Sequence, residues 1–194
     1  MIKSGVFKIV WVVCLFCLQS GYAQQKFEKE SRLKVEDVPA RALQFIDSLG
    51  AESKIHWYFE EGLESTSIEA KFRYKGKKLS VEFDTSGKVE DVEIQVKWSA
   101  LASALRDSIR AVLRSDCTRF SIRKVQVQYS GSRNNLISKL RMDSTTAGYV
   151  TRYELVTKCR TDEDIALYEY LFDSEGLSLT RSKIIFNNSS NLEY

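Results

Sequence analysis

Phe83-Asp84-Thr85-Ser86-Gly87 returns later in the chain in the related form Phe172-Asp173-Ser174-Glu175-Gly176. In each copy the glycine suits a positive φ and the aspartate can accept hydrogen bonds from the backbone that follows it, so each copy predicts a hairpin turn. Strand-like runs flank both copies, and a helical pattern lies upstream of each. The doubling predicts one helix-plus-sheet unit that is used twice.

The first unit shows the alternation of half-buried strands. Residues 55–59, 68–74, 79–83 and 92–98 place apolar side chains on one face and polar side chains on the other. A break in this parity predicts a β-bulge near Glu90-Asp91. Upstream, an apolar stripe over residues 37–49 predicts a helix with Pro39 in its first turn and Gly50 at its end.

The second unit repeats this order. A helix is expected from Ser99, followed by strands at 120–129, 149–159, 165–172 and 177–185. A parity shift between Ile122 and Val125 predicts a second bulge, and the polar interruption at 130–148 leaves room for a short helical turn at 136–140. We therefore expect an α+β fold of two tandem helix-plus-four-stranded antiparallel repeats, at 37–98 and 99–186, with the helices on one face of the sheet.

The first 23 residues have the pattern of a secretory signal peptide. Lys3 and Lys8 precede a run of ten apolar residues at 9–18, and small residues lead to a cleavage site after Ala23. Ten residues span about 15 Å as a helix, half of a bilayer core, so we expect no stable membrane anchor once the leader is removed. The mature protein is expected in the periplasm or secreted, with a polar arm at 24–36 and a polar tail at 187–194.

The charge balance argues against nucleic-acid partners. The chain has 29 basic and 26 acidic residues, and two of the basic residues lie in the leader, which leaves a mature chain close to neutral. No cluster of lysine and arginine remains that would bind a phosphate backbone.

Two of the four cysteines, Cys14 and Cys17, lie in the leader. The remaining pair, Cys117 and Cys159, predicts a disulfide because exported proteins fold in oxidising compartments. A strand register that sets Phe120 opposite Val156 would bring the two cysteines together. The alternative is a pair of buried free thiols.

No residue pattern in the chain indicates catalysis, a metal or a cofactor. The lone histidine, His56, has no second histidine or Cys-x-x-Cys motif with which to hold zinc, and no phosphate loop or nucleophile elbow is present. The acidic runs Glu60-Glu61 and Asp162-Glu163-Asp164 lie at strand boundaries, where carboxylates usually solvate turns. We therefore expect a protein that is not an enzyme and carries no cofactor or metal.

The strand face turned away from the helices is the candidate binding surface, because mixed charge with scattered aromatic residues suits a protein contact. The alternative is that this strand face is an ordinary solvated surface with no binding role. The second unit would add Gln126, Gln128, Arg152, Glu154, Lys158 and Glu169 if its register matches. The first unit contributes His56, Tyr58, Glu69, Lys71, Arg73, Glu82, Glu93, Gln95 and Lys97.

Several short motifs resemble the PepSY-like domains of exported bacterial proteins. They are Val38-Pro39, Trp57, Ile68-Glu69-Ala70-Lys71-Phe72 and Val81-Glu82-Phe83-Asp84-x-x-Gly87. These domains are similar in architecture to the β-lactamase inhibitor protein, in which two helix-plus-four-strand repeats share a concave sheet. The likeness covers roughly residues 36–185, but no Val-Pro opens the second helix and the first strand of the second unit lacks a tryptophan.

The resemblance implies periplasmic or secreted non-catalytic modules, some of which are thought to inhibit or bind other proteins. We therefore expect an exported binding module that inhibits or sequesters an unidentified protein or peptide through the open sheet face. The alternative is a structural or envelope-associated protein that self-assembles through its sheet. A hydrolase that uses His56 is a third hypothesis.

Overall fold

The structure is a computed structural model that describes residues 24–62, 65–142 and 148–185. The predicted signal peptide at 1–23 and the polar tail at 187–194 lie outside the described residues.

Strands dominate the described part of the chain. The helices are α1 (Ala40–Leu49), α2 (Ser103–Asp116) and α3 (Arg133–Arg141), with single 3-10 turns at Val35–Asp37 and Trp98–Ala100. The strands are β1 (Gln24–Arg32), β2 (His56–Gly62), β3 (Thr66–Tyr74), β4 (Lys77–Phe83), β5 (Val89–Gln95), β6 (Arg119–Gly131), β7 (Tyr149–Arg160), β8 (Ile165–Phe172) and β9 (Ser178–Ile185).

The nine strands form one sheet in which each strand pairs antiparallel with the next along the chain. The first and last strands also meet, because Gln24–Phe27 of β1 pair in parallel with Ser182–Ile185 of β9. This contact closes the sheet on itself.

The prediction of two tandem helix-plus-four-stranded repeats is wrong. Residues 91–95 of β5 pair directly with residues 126–130 of β6, so the strands of both halves belong to a single nine-stranded sheet. The two-repeat plan also omits β1, which lies in the segment predicted as a loose polar arm. This strand lacks a strong apolar pattern and is held by backbone pairing on both sides. The polar interruption contains a full helix, α3, where a short helical turn was expected.

The two Phe-Asp-x-x-Gly stretches form hairpin turns, as predicted. Asp84 Oδ1 accepts hydrogen bonds from the backbone N–H of Ser86 and of Lys88, each at 2.9 Å, and Gly87 has φ +80°. Asp173 repeats this with Glu175 and Leu177, also at 2.9 Å. The side chain of the aspartate thus replaces backbone partners that the turn leaves unpaired.

Each turn also packs against a helix. A Cβ placed on Gly87 would lie 2.8 Å from Pro39 Cβ and 2.9 Å from the backbone N of Ala42 at the start of α1. A Cβ on Gly176 would lie 2.8 Å from Ser108 Cβ of α2. The glycines therefore serve the packing of turn on helix as well as the turn conformation.

The apolar face of the sheet carries the three described helices in two hydrophobic clusters. One joins α1 and α3 to β2–β5 and contains Phe45, Trp57, Phe72, Phe83 and Leu136. The other joins α2 to β6–β8 and contains Ile109, Leu113, Leu155, Tyr170 and Phe172. All of these side chains are 6% exposed or less, as strand alternation under a helical layer requires.

The polar face of the sheet, opposite the helices, points into the closed sheet. About eight strands enclose a space just wide enough for side chains, so three helices cannot lie inside a sheet of nine strands. The helix-covered apolar face is consequently the outer face. We call the opposite face, which carries Tyr58, Glu69, Lys71, Ser80 and Glu93, the inner face.

Both predicted bulges are present, between Val89 and Asp91 and between Ile122 and Lys124. The disulfide Cys117–Cys159 is also present. The register predicted for it is wrong, because Phe120 lies opposite Cys159 rather than Val156. Cys117 directly follows α2, so the bond joins the end of a helix to β7 instead of joining two paired strands.

Candidate functional site: the polar inner face

The residues predicted for the binding surface occupy one face, but its centre is enclosed. Tyr58, Glu69 and Glu93 are each only 5% exposed. Arg73, Gln95 and Lys97 are exposed, since they lie at or beyond the strand ends. The inner face is therefore an enclosed interior with exposed side chains at the end of the sheet where β3 and β5 finish, and not the open surface on which the binding hypothesis was based.

Strand register places the central residues side by side. Tyr58 of β2 lies opposite Glu69 of β3, which lies opposite Glu82 of β4, which lies opposite Asp91 of β5. A second row runs beside it through His56, Lys71, Ser80, Glu93 and Gln128. Because β5 pairs with β6, Gln126 and Gln128 of the second half lie on the inner face beside these rows.

The first acidic set, which we call the Glu69 group, consists of Glu30, Glu60 and Glu69, whose carboxylate oxygens lie within 4.8 Å of one another. Lys71 balances part of its negative charge: its Nζ lies 2.8 Å from Glu30 Oε1 and 2.7 Å from Glu69 Oε2. The Ser80 hydroxyl also donates to Glu69. This arrangement is a partly buried ion pair with additional hydrogen bonds, the form in which a protein tolerates enclosed charge.

The protonation states of this group follow from its contacts. Burial opposes ionisation of Glu69, but the hydrogen bond with Glu60 and the charge of Lys71 lower the pKa of its carboxyl. Burial likewise disfavours the charged form of Lys71, yet the Glu69 and Glu30 carboxylates raise its pKa. Both partners are therefore held in their charged forms at neutral pH.

His56 lies at the basic edge of the inner face. Arg32 Nη1 donates to His56 Nδ1 over 2.6 Å, and the guanidinium lies 4.7 Å from the centre of the Tyr58 ring. Lys71 Nζ lies 4.9 Å from the same ring, so Tyr58 contacts two cations. Loss of solvation and the charges of Arg32 and Lys54 lower the pKa of His56. An imidazole whose Nδ1 already accepts from a guanidinium is poorly placed to act as a general base through that atom.

The second acidic set, which we call the Glu93 group, consists of Glu82, Asp91 and Glu93, again with oxygens within 4.8 Å of one another. Amide side chains from β6 contact it: Gln126 Nε2 donates to Glu93 Oε2 over 2.6 Å, and Gln128 Nε2 donates to Asp91 Oδ2 over 3.2 Å. Burial raises the pKa of Glu93 well above its usual value, and the charges of Glu154, Glu82 and Asp91 raise it further. Lys124 offsets only part of this effect.

The most buried carboxyl of each group is held by a different kind of contact. Lys71 contacts Glu69, whereas the amide of Gln126 donates to Glu93. An enclosed carboxyl among other carboxylates either keeps its proton or acquires a cation. Carboxylate and amide oxygens can bind an ammonium or guanidinium group, or a hard metal ion such as Ca²⁺.

The sequence did not reveal several members of this site. Glu30 was assigned to a loose arm, Glu60 to a turn and Asp91 to a bulge, although each projects onto the inner face. The available signal was parity: Glu60 alternates in phase with His56 and Tyr58. Glu30 had no such signal, because the strand that carries it is polar on both faces.

Comparison with known proteins supports the fold. No family model matches the sequence, and comparison with curated proteins finds no significant match. A crystal structure of a DUF2874 family protein from Bacteroides uniformis matches with a TM-score of 0.50 and 13% identity over 75% of this chain and 89% of that chain. A Bacteroides eggerthii protein whose description proposes a periplasmic location matches with a TM-score of 0.49 and 11% identity, covering 75% and 88%.

At these identities the first likeness shows a shared fold and nothing about activity. Neither structure is described as PepSY-like or as an inhibitor. In the described ranges, no helix is both long enough and apolar enough to cross a membrane.

Proposed function

We propose that this protein is an exported, non-catalytic binding module that takes a positively charged group of a protein or peptide partner at the Glu93 group. The observation that carries the proposal is the buried Glu93 carboxyl, 5% exposed, surrounded by other carboxylates and hydrogen-bonded to an amide. Folding gains little from such a cluster, since removing carboxylates from water is costly. Clusters of this kind are commoner at functional sites.

The position of the group suits a ligand that enters from one end of the closed sheet. Glu82 and Asp91 are half-buried and lie close to the turn that joins β4 to β5, while Glu93 lies further from that turn along β5. A lysine or arginine side chain that enters there would meet two carboxylates before it reaches the third. Lys71 supplies an internal example of the contact, since its ammonium lies between two carboxylates of the Glu69 group.

Export is supported by the leader pattern and by the disulfide. Disulfides persist in oxidising compartments such as the periplasm and the extracellular space. Membership in the PepSY-like group is part of this proposal; the motifs at 38–39, 57, 68–72 and 81–87 support it.

The alternative of self-assembly through the sheet has weaker support. Strand-by-strand assembly requires free sheet edges, and β1 and β9, which would be the edges of an open sheet, pair with each other. A role as a binding module needs no such edge.

The test is calorimetric titration of the mature protein with a short neutral-capped peptide that contains one lysine, and with the same peptide carrying glutamine instead. We expect saturable binding of the lysine peptide alone. Because Glu93 would lose its proton when the ammonium binds, the measured enthalpy should differ between two buffers of different ionisation enthalpy. Glu93→Gln should weaken binding about tenfold or more, the contribution of one charge-assisted hydrogen bond.

The matched control is Glu90→Gln, which changes an exposed carboxylate on the same strand. Equal binding of both peptides, or unchanged affinity in Glu93→Gln, would contradict the proposal. A titration with CaCl₂ identifies the competing case, in which the group holds a metal ion rather than a basic side chain.

A further inference from the structure

A second recessed site lies on the outer face, where the β3–β4 hairpin, β6 and the end of α3 meet. It is a cavity of about 420 Å³, within the range of roughly 300–1,000 Å³ that is usual for small-ligand sites. The Glu93 group lies on the opposite face of the sheet, so this site does not depend on the function proposed above. The cavity is lined by Tyr74, Lys75, Lys77, Leu79, Ile94, Tyr129, Lys139, Leu140, Met142 and Tyr149.

The charge of the lining has one sign. Three of the described lining residues are lysines, and none is an aspartate or a glutamate. Within the described ranges, no salt bridge involves Lys77 or Lys139. Ammonium groups gathered around a recess whose described lining holds no carboxylate favour an anionic ligand.

Lys139 is held in place by aromatic side chains. Its Nζ lies 4.8 Å from the centre of the Tyr129 ring and 4.8 Å from that of the Tyr149 ring, and it donates to Tyr149 Oη over 3.0 Å. The two rings pack edge to face at 5.5 Å. Cation–π contacts and one hydrogen bond orient the ammonium without neutralising it, and the bond to Tyr149 raises the pKa of Lys139. The group therefore keeps donors and a full charge for a ligand.

The rest of the cavity has an apolar lining, and a hydrogen bond connects two of its walls. Leu79 and Leu140 are buried at 4% and 5% exposure, and Ile94 and Tyr74 lie beside them. Lys75 Nζ donates to the backbone carbonyl of Arg141 over 2.8 Å, which ties the β3–β4 hairpin to the end of α3. The two walls of the cavity are thus joined on one side, as a largely pre-formed site requires.

We propose that this cavity binds a small organic anion in which one anionic group is attached to a flat apolar body. The anionic group contacts Lys139 and Lys77. The apolar body lies on Leu79 and Leu140 and against the tyrosine rings. Carboxylates and phosphate monoesters share this chemistry, and the experiment separates them.

The experiment titrates the ¹⁵N-labelled mature protein with 2-naphthoate, 2-naphthyl phosphate and the neutral 2-naphthamide, and follows the amide signals of Leu79, Leu140 and Tyr149. We expect saturable shifts with one or both anions and at least tenfold weaker binding of the amide, since a charged group strengthens such hydrogen bonds. Preference for naphthoate assigns a carboxylate ligand, and preference for the phosphate assigns a phosphate monoester.

Two lysine variants locate the site. Lys139→Met should weaken anion binding about tenfold or more. Lys77→Met should weaken it by a smaller factor. The matched control is Lys78→Met, which removes an exposed lysine next to Lys77 that does not line the cavity. Binding of naphthamide equal to that of the anions, the absence of shifts with either anion at millimolar concentration, or equal affinity in Lys77→Met and Lys78→Met would overturn the proposal.

Discussion

Gln126 Nε2 donates to Glu93 Oε2 over 2.6 Å, and this hydrogen bond crosses from β6 to β5. These two strands join the first and second halves of the sheet. The contact brings a carboxyl from one half and an amide from the other into an interior where both are about 95% buried. The candidate site thus forms where the two halves of the sheet meet.

The stability of the protein should depend on pH through Glu93. Burial and neighbouring carboxylates raise its pKa in the folded state, whereas the unfolded chain titrates near the ordinary value of 4.5. The folded state therefore binds the proton more tightly, so this contribution is fully present below about pH 4.5. It declines as pH rises toward the raised pKa, by at most about 1.4 kcal/mol per pH unit.

Urea unfolding of wild type and Glu93→Gln at a series of pH values measures this effect. We expect the variant to gain free energy of unfolding relative to wild type as pH rises above 4.5, because glutamine does not ionise. For Glu90→Gln, which changes an exposed carboxylate at the bulge, the free energy of unfolding should change with pH as it does in wild type. A constant difference between wild type and Glu93→Gln across this range would contradict the assignment.

Lys71→Met should destabilise the fold by about 2–4 kcal/mol, because it leaves the carboxylates of the Glu69 group enclosed without their cation. The matched control is Lys29→Met, which breaks the Lys29–Glu61 pair, in which the side chains are 64% and 48% exposed. That change should cost about 1 kcal/mol or less. Chemical denaturation measures the free energy of unfolding of both variants. Equal losses in the two variants would contradict the prediction, because they would mean that the Glu69 group is as well solvated as the exposed Lys29–Glu61 pair.

Gly87→Ala should be more damaging than Gly76→Ala. Both glycines have positive φ, +80° and +77°, so alanine strains the backbone equally, by about 1–2 kcal/mol. A Cβ at Gly76 meets nothing within 4 Å, whereas one at Gly87 meets Pro39 and Ala42 of α1 at under 3 Å. We expect an additional loss of about 1–3 kcal/mol at Gly87, measured by thermal or urea unfolding. Equal losses would show that the turn does not bear on the helix.

Removing the disulfide by the double change Cys117→Ala and Cys159→Ala should lower the free energy of unfolding by up to about 4 kcal/mol in the chain-entropy account, since the cysteines lie 42 positions apart. The unfolding midpoint of the oxidised wild type should fall toward that of the double variant when a thiol reductant is added. The same reductant should leave the double variant unchanged. An unchanged midpoint for the wild type under full reduction would contradict the expected contribution.

Local features of the fold could be predicted from the sequence. Eight of the nine strands in the described residues, both Phe-Asp-x-x-Gly turns, both bulges and the first two described helices follow from alternation, turn chemistry and apolar periodicity. Each of these signals reports geometry within about ten residues, which is the range over which side-chain direction is correlated.

The candidate site could be predicted from the sequence only in part. Glu69, Lys71, Glu82 and Glu93 were placed on the correct face, because parity alone decides the face. Glu30 was not found, since it lies on a strand with polar residues on both faces. Asp91 was not found because the bulge was expected at Glu90-Asp91, although Asp91 alternates in phase with Glu93.

By itself, the amino-acid sequence determined which segments are strands, where they turn and which side chains share a face. The tertiary structure alone decided that β1 pairs with β9, that the two halves form one closed sheet, and that the polar face is therefore enclosed. The reason is physical: alternation depends on the backbone geometry of each strand, whereas burial depends on pairing between segments that lie more than 150 residues apart. The same carboxylates are ordinary solvated groups on an open sheet and a candidate binding site on a closed one.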